Sequence, residues 1–344
     1  MLHIRCVRET DLGRLLDLAR QATYGLTSLP PNPEVLAKAI DRARRALSSP
    51  DDGPSGAKWL FVLEDSLSGM VHGTCGIHDK TGGYHPFWSY RLTTVKRESQ
   101  RFGIRRELQT LTLEQVHNGP SEIGSLFLAP TFRQRGAGRC LSLARFLHIA
   151  NHRARFEDQL IAEMRGVIDE TGRSPFWEGL GRHFFHMDFP EADHLSVTDK
   201  SFISDLIPLH PIYVCLLPPE AQAVIGQVHP RTRPALELLL QQGFQPTGQI
   251  DVFDGGPVVG CATAAVAAIA SSQRLPCAAI SSAIDESAGP PSHLVATCDL
   301  DVRMVACRPQ LQADAIQISA TAAKLLGCER DTPLRCCPLR PAAA

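Results

Sequence analysis

Ser125-Leu126-Phe127-Leu128-Ala129-Pro130-Thr131-Phe132-Arg133-Gln134-Arg135-Gly136-Ala137-Gly138-Arg139-Cys140-Leu141 reads as a buried strand, a basic glycine loop and the start of a helix. Leu126 to Leu128 is a short apolar run, and Pro130, which cannot donate to a ladder, ends it. Gly136 and Gly138 lack Cβ atoms, so the backbone N–H groups around Ala137 can approach an anion, and the helix that follows adds the partial positive charge of its N-terminus. Arg133 and Arg135 supply full charges. The expected ligand is a phosphate. A P-loop is excluded because no Lys-Ser/Thr pair follows the glycines, and a dinucleotide fingerprint because Leu141 stands where a third small residue is needed.

Working outward, the 344 residues suffice for one large domain or two ordinary ones, and a 44% hydrophobic content supports a substantial core. Lys plus Arg (35) and Asp plus Glu (36) nearly balance, so no global field draws the chain to nucleic acid or a membrane surface. The expected partners are small molecules. No run of about 18 apolar residues and no N-terminal apolar signal region occur, which gives a cytoplasmic expectation. The 11 cysteines are mostly scattered singly, with Cys336 and Cys337 adjacent and no Cys-x-x-Cys pair. They are expected as reduced, buried small hydrophobes, with no metal site.

A strand at Ile4 to Val7 is followed by Asp11 as a helix N-cap and an apolar face at Leu12, Leu15, Leu16, Leu18 and Ala19. Glu34 to Leu47 is a basic amphipathic helix. Trp59 to Glu64 and Met70 to Ile77 form a hairpin around Asp65-Ser66-Leu67-Ser68-Gly69, and Tyr84 to Val95 is a further strand region. In the helix after the glycine loop, Cys140, Leu143, Ala144, Leu147 and Ala150 form one wide core face. Leu160 to Val167 is a strand, Ser174 caps a helix ended by Gly181, and helices are expected at Pro218 to Ile225 and through Leu236 to Leu240. Gln249 to Phe253 is a strand closed by Asp254-Gly255-Gly256-Pro257. From Val258 the chain turns rich in Ala, Cys, Ser and Pro, with strand pieces at His293 to Cys298, Val302 to Cys307, Ala315 to Ile318 and Leu334 to Pro338, and a short helix from Ser319 to Gly327.

The motif Arg133-x-x-Gly136-x-Gly138 after a strand resembles the acyl-CoA pyrophosphate loop of the GCN5-related N-acetyltransferase superfamily. Longer phrases resemble one branch of it, the arginine N-succinyltransferases. They include Gly25-Leu26-Thr27-Ser28-Leu29-Pro30, Phe61-Val62-Leu63-Glu64-Asp65, Ala162-Glu163-Met164-Arg165-Gly166-Val167-Ile168-Asp169-Glu170, Ser174-Pro175-Phe176-Trp177, His210-Pro211-Ile212-Tyr213, Ile225-Gly226-Gln227-Val228-His229-Pro230 and Ile250-Asp251-Val252-Phe253-Asp254-Gly255-Gly256-Pro257. The resemblance spans roughly residues 1 to 257, weakens between Asp79 and Gly119 and is poor after Val258.

It implies an α+β fold, with a mixed, mostly antiparallel sheet flanked by helices. The chain would divide into an acyltransferase domain with helical insertions, residues 1–257, and a small β-rich extension, residues 258–344. It further implies transfer of the succinyl group of succinyl-CoA, a co-substrate and not a tightly bound cofactor, to the α-amino group of L-arginine, the first step of arginine catabolism by succinylation. His229 is implied as the active-site proton donor, and the strand of Leu126 and Leu128 as the contact for the acyl-CoA. An arginine acceptor and a succinyl tail call for carboxylates and cations. Glu163, Asp169, Glu170 and Asp251 are acidic candidates, Arg91 and Arg165 basic ones, and Trp88, Tyr90 and Trp177 could wall the pocket. Ornithine or another basic amino acid as acceptor, a Cys75 or Cys140 nucleophile, and a non-catalytic subunit of a hetero-oligomer are the alternatives. Homo- or hetero-oligomerisation is left open.

Overall fold

The computed structural model describes residues 1–22, 28–49, 53–83, 85–133, 136–198 and 201–340. Their strands are β1 (Leu2–Cys6), β2 (Lys58–Asp65), β3 (Val71–His78), β4 (Phe87–Ser99), β5 (Ile104–Val116), β6 (Ser121–Leu128), β7 (Gln159–Glu163), β8 (Ile212–Tyr213), β9 (Gln245–Ile250), β10 (Pro257–Ala262), β11 (Gln273–Ser281), β12 (His293–Thr297), β13 (Arg303–Cys307), β14 (Gln310–Leu311), β15 (Ile316–Ser319) and β16 (Pro333–Pro338). They connect edge to edge in the order β14-β15-β11-β16-β12-β13-β1-β2-β3-β6-β7-β10-β9-β4-β5-β8. Most neighbours are antiparallel, and β6 with β7 is one of two parallel pairs. The mixed sheet flanked by helices is the expected α+β class.

Parallel strands require a crossover, and α3 (Ala137–Asn151) supplies it between β6 and β7. Leu141 of α3 lies against Gly73 of β3, where a Cβ would meet the Leu141 side chain at 2.9 Å. On the opposite face, α1 (Leu12–Gln21) and α2 (Pro33–Ala46) cover Leu60, Val62, Val71 and Ala129. Of the face of α3 read from periodicity, Leu143, Ala144 and Leu147 are buried and Cys140 and Ala150 half-buried, and most of the rest of the helix is buried as well. Phe146, Ile149, Ser142, Arg145 and His148 all have 2% exposure or less. Elements on both flanks close over it, Phe244 against Phe146 on one side and the C-terminal strands on the other.

Several expectations shift. Asp11 makes no side-chain cap on α1 and instead receives both Arg5 Nη groups at 2.8 Å, a buried bidentate pair. Gly181 does not end a helix. A Cβ there would fall 2.3 Å from the Trp177 ring, so the glycine makes room for the indole while a π-turn, Trp177–Gly181, runs on into Arg182–Phe185. The polar stretch after Asp79 forms the longest hairpin, β4 and β5 paired from Phe87↔Val116 to Ser99↔Ile104. Trp88, Tyr90 and Trp177 all lie in one core cluster with Phe176, Phe185 and Phe253. β7 stops at Glu163, short of the expected Val167, and β9 lies earlier than the strand read at Gln249 to Phe253.

The C-terminal strands form where expected. The Ser319 hydroxyl accepts the Ala322 N–H and Gly327, at φ 65°, closes the helix Ala320–Leu326. β13 pairs with β1, which joins these strands to the main sheet, while Cys277, Val295, Val305, Ile316, Ile318 and Leu326 make a separate apolar cluster. β10 pairs with β7 and β9.

Candidate active site

β6 and β7 pair only at Ser121↔Leu160 and Glu122↔Ile161, then part. Beyond that point β6 and β7 share no ladder pairs, and the divergence between Gly124–Leu128 and the end of β7 is the candidate cleft. The divergence coincides with an irregularity in β6. Its register against β3 shifts between Thr74↔Phe127 and Gly76↔Gly124, and Ser125 sits at φ 52°, a left-handed conformation unusual for a non-glycine residue. The Thr74 hydroxyl donates to the Ser125 carbonyl at 2.7 Å and the Ser125 hydroxyl to Ser28 Oγ at 2.9 Å, which pin the bulge. A strand edge that has left its ladder partner suits an extended amide-bearing ligand.

At the far end of β6 the glycine loop leads into α3, and its Gln134 and Arg135 lie outside the described residues. Gly136 takes φ 71° at the N-cap of α3, a conformation that favours glycine. The first N–H groups of the helix, those of Ala137 and Gly138, precede any intrahelical acceptor. A Cβ on Gly138 would touch only Leu128 Cδ2 at 3.9 Å. Arg133 is exposed, with Nε donating to the Leu128 carbonyl at 3.2 Å. Gly25 to Thr27 of the N-terminal phrase also lie outside the described residues. Leu128 is buried, whereas Leu126 is half-buried beside the cleft.

His229 comes to the other lip. Its N–H donates to the Arg165 carbonyl at 2.7 Å, so it docks on the chain just after β7. Its Nδ1 accepts the Arg231 N–H at 3.1 Å, which in the neutral ring puts the proton on Nε2. Partial burial lowers its pKa below the usual 6.5, aided by the charges of Arg231 and Arg165 and opposed by the Ile168 backbone.

The charged candidates separate by what they touch. Arg165 is held by Asp193 through Nη1 and Nη2 at 3.4 and 3.3 Å, and its Nε lies 3.3 Å from Asp254, with its plane over Phe189. Asp254 is buried, accepts the Gly256 N–H at 2.8 Å, and has its pKa raised to about 7 by burial and by Asp251. Asp251 accepts the N–H groups of Phe253 and Asp254. Together they form a brace beneath His229, one that residue spacing does not reveal. Asp169 is exposed and closes a turn by accepting from Thr171 and Arg173, which lowers its pKa. Arg91 is not brought to the cleft. It grips Glu114 in a fork at 3.0 and 2.9 Å and donates to the Thr247 carbonyl at 2.7 Å, on β4. Glu163 ends β7 at the cleft, and Glu170 is exposed beside Asp169. Burial pushes the thiols of Cys75 and Cys140 up to about 12 and about 11, so both are neutral near pH 7 and poor nucleophiles.

Comparison with known proteins places the chain in a family. The family model for the arginine N-succinyltransferase beta subunit matches residues 2–268. The arginine N-succinyltransferase of Salmonella arizonae is 46% identical over 272 residues, 78% of each chain, and that of Enterobacter sp. strain 638 is 45% identical over 278 residues, 79% of each. The solved structure of arginine/ornithine succinyltransferase subunit AI from Pseudomonas aeruginosa superposes with a TM-score of 0.89 at 32% identity, over 98% of this chain and 99% of that one. The chain belongs to the arginine N-succinyltransferase family.

Proposed function

We propose that the protein transfers the succinyl group of succinyl-CoA to the α-amino group of L-arginine, giving N2-succinyl-L-arginine and CoA, with His229 as the proton donor. The observation that supports this beyond family membership is the position of His229 at the β6/β7 cleft with its Nδ1 already engaged by the Arg231 N–H. The neutral ring then carries its proton on Nε2, a hydrogen-bond donor suited to a departing sulfur, and the ring can relay a proton taken from the amine nitrogen. The glycine loop would hold the pyrophosphate through the N–H groups of Ala137 and Gly138, and the sequence adds the charges of Arg133 and Arg135. The pantetheine arm would pair with the free edge of β6 at Leu126 and Leu128.

The acceptor enters as an ammonium and must shed a proton before attack. Its nitrogen then forms the C–N bond, giving a tetrahedral intermediate whose nitrogen carries a second proton. As the C–S bond breaks, that proton moves to the thiolate by way of His229, whose imidazole is neutral before and after the step. One proton goes to solvent per turnover. Along β7, Leu160 and Ala162 face α3, so alternation puts Glu163 on the other face. We assign Glu163 to the cationic end of the acceptor. Arg165 and Asp254 position His229, while Arg91 and Asp169 serve the fold.

The Pseudomonas protein is named for ornithine beside arginine, which favours ornithine as the second acceptor to consider. It is also named as a subunit, so assembly with a related chain belongs to the same proposal. Residues 258–344 would act as a packing or contact module. Among the described residues no helix is long and apolar enough to cross a membrane. Steady-state assays with succinyl-CoA against L-arginine and L-ornithine test the reading. Succinyl-CoA-dependent CoA release with arginine, with a higher kcat/KM than with ornithine, is expected; absence of CoA release with either would refute it.

A further inference from the structure

Arg145 has 2% of its surface exposed, among the largest fully buried side chains of the protein. No carboxylate among the described residues contacts it. Its Nε and Nη2 donate to the carbonyl and hydroxyl of Ser142, at 3.3 and 2.9 Å, one turn earlier in α3. The titratable group that acts on it is the Cys75 thiol, which is neutral. Two other arginines contrast with it: buried Arg5 has Asp11 and Glu64, and half-buried Arg165 has Asp193 and Asp254, while buried Arg155 donates to the hydroxyl and carbonyl of Ser49. A buried guanidinium without an anion is costly to the fold. Burial lowers its pKa to about 10, so it keeps its charge near neutrality.

Its level in the molecule is informative. Arg145 follows Gly138 by two turns, on the same face of α3, and Gly138 lies against Leu128. Two turns advance about 10 Å along the helix, or about three residues back along β6, which leads from Leu128 to Ser125. Cys75 agrees independently, since it lies between Thr74, partner of Phe127, and Gly76, partner of Gly124, opposite the bulge. The guanidinium therefore sits on the α3 side of the sheet at the height where β6 and β7 part. A pantetheine arm running back along β6 from the glycine loop would bring its acyl group to that height.

We propose that Arg145 is the receptor for the distal carboxylate of the donor's acyl group, and thereby the residue that selects a succinyl over an uncharged acyl thioester. The inference rests on the acyl-transfer reading and adds the group that reads the donor. The fork of a guanidinium matches a carboxylate in shape and charge, and a bound succinyl tail supplies the counter-charge that no described side chain provides. Donor and acceptor then approach from opposite faces, the succinyl tail toward α3 and the acceptor on the side of Glu163.

The test compares succinyl-CoA with butyryl-CoA, which has the same chain length and a methyl group in place of the carboxylate. Wild type, Arg145→Met and Arg145→Lys are assayed alongside thermal unfolding without ligand. Wild type is expected to favour succinyl-CoA by roughly 10³-fold in kcat/KM, as polar sites reject analogues lacking the recognised group. Arg145→Met should lose about 10²-fold or more with succinyl-CoA and change less than about threefold with butyryl-CoA, while Arg145→Lys retains part of the preference. The unliganded Met variant should melt no lower than wild type, because an unpaired buried charge has gone. A purely structural arginine would instead lower the melting temperature and both activities together. That result, or an unchanged succinyl-to-butyryl ratio in both variants, overturns the assignment. If wild type turns over neither donor, the acyl-transfer reading fails on its own, and calorimetric titration with succinate and butyrate decides about Arg145. Succinate binding that Arg145→Met abolishes upholds a carboxylate receptor, and no succinate binding to wild type removes it.

Discussion

Gly256→Ala should uncouple His229 from the cleft, and the structure sets the size of the effect. A Cβ at residue 256 would lie 2.1 Å from the Met164 carbonyl oxygen and 2.5 Å from the Gly166 nitrogen. Both are backbone atoms, so no rotamer change relieves the overlap, and the chain from 164 to 166 must retreat by roughly 1 Å to reach normal contact. Overpacking costs about 1–3 kcal/mol. Two backbone hydrogen bonds are exposed to the same displacement, Asp251 N–H to Gly256 O at 2.8 Å and Met164 N–H to Pro257 O at 3.0 Å, each worth about 1 kcal/mol. The expected loss is about 3–5 kcal/mol, a large part of a typical total of about 5–15 kcal/mol. The segment that moves carries the Arg165 carbonyl to which His229 is docked, and misplacement by about 1 Å can cost about 10²-fold in rate. Thermal unfolding and steady-state kinetics should therefore both fall. Gly138→Ala is the stability control, because its Cβ would meet nothing nearer than 3.9 Å; its melting temperature should match wild type. A Gly256→Ala protein that melts and turns over like wild type would refute the close-approach argument.

Replacing His229 by Ala should lower kcat by about 10²–10⁴-fold with KM changed less than about threefold, measured by CoA release; a larger effect on KM than on kcat would mark a binding role. Because the folded state lowers the His229 pKa, the unfolded chain binds the proton more readily, and stability should decline as pH falls through 6.5 toward the folded value. The same protonation turns Nδ1 into a donor and breaks the bond from Arg231, so a pH–rate profile should show an acid limb below pH 6.5 that the Ala variant lacks. Arg91→Ala removes the fork to Glu114 and should lower the melting temperature while KM for arginine stays within about twofold; a tenfold rise in KM would return Arg91 to the substrate site. Cys140→Ala should retain turnover within about threefold and give no change in the amplitude of any pre-steady-state CoA burst, whereas loss of activity would revive a covalent route.

Local signals are legible in this chain and non-local ones are not, for physical reasons visible in single elements. Ser319 and Gly327 bracket a helix through hydrogen bonds and a backbone angle confined to a few residues, so that helix can be read directly. The hairpin of β4 and β5 carries many polar side chains on its outer part, and what makes it a strand pair is cross-strand bonding, which no window of sequence displays. Charges behave similarly. Arg91, Arg165 and Asp169 are equal candidates in sequence, and they part company only when Glu114, Asp254 and Thr171 come within reach of them. Arg145 stands out from no neighbour on a helix whose periodicity shows one core face, since its burial depends on flanks contributed from elsewhere in the chain.

The phosphate-type loop, the crossover helix after it, the short elements of the C-terminal part and the family phrases all follow from the order of residues, because glycine conformation, proline placement and helix capping act within a turn or two. Three features do not follow from it: where β6 leaves β7, which carboxylates brace His229, and the burial of Arg145 without a carboxylate partner among the described residues, opposite the bulge at Ser125. Each of these is a relation between residues distant along the chain, set in the folded protein by which strands pair and which charges the closing core allows to meet.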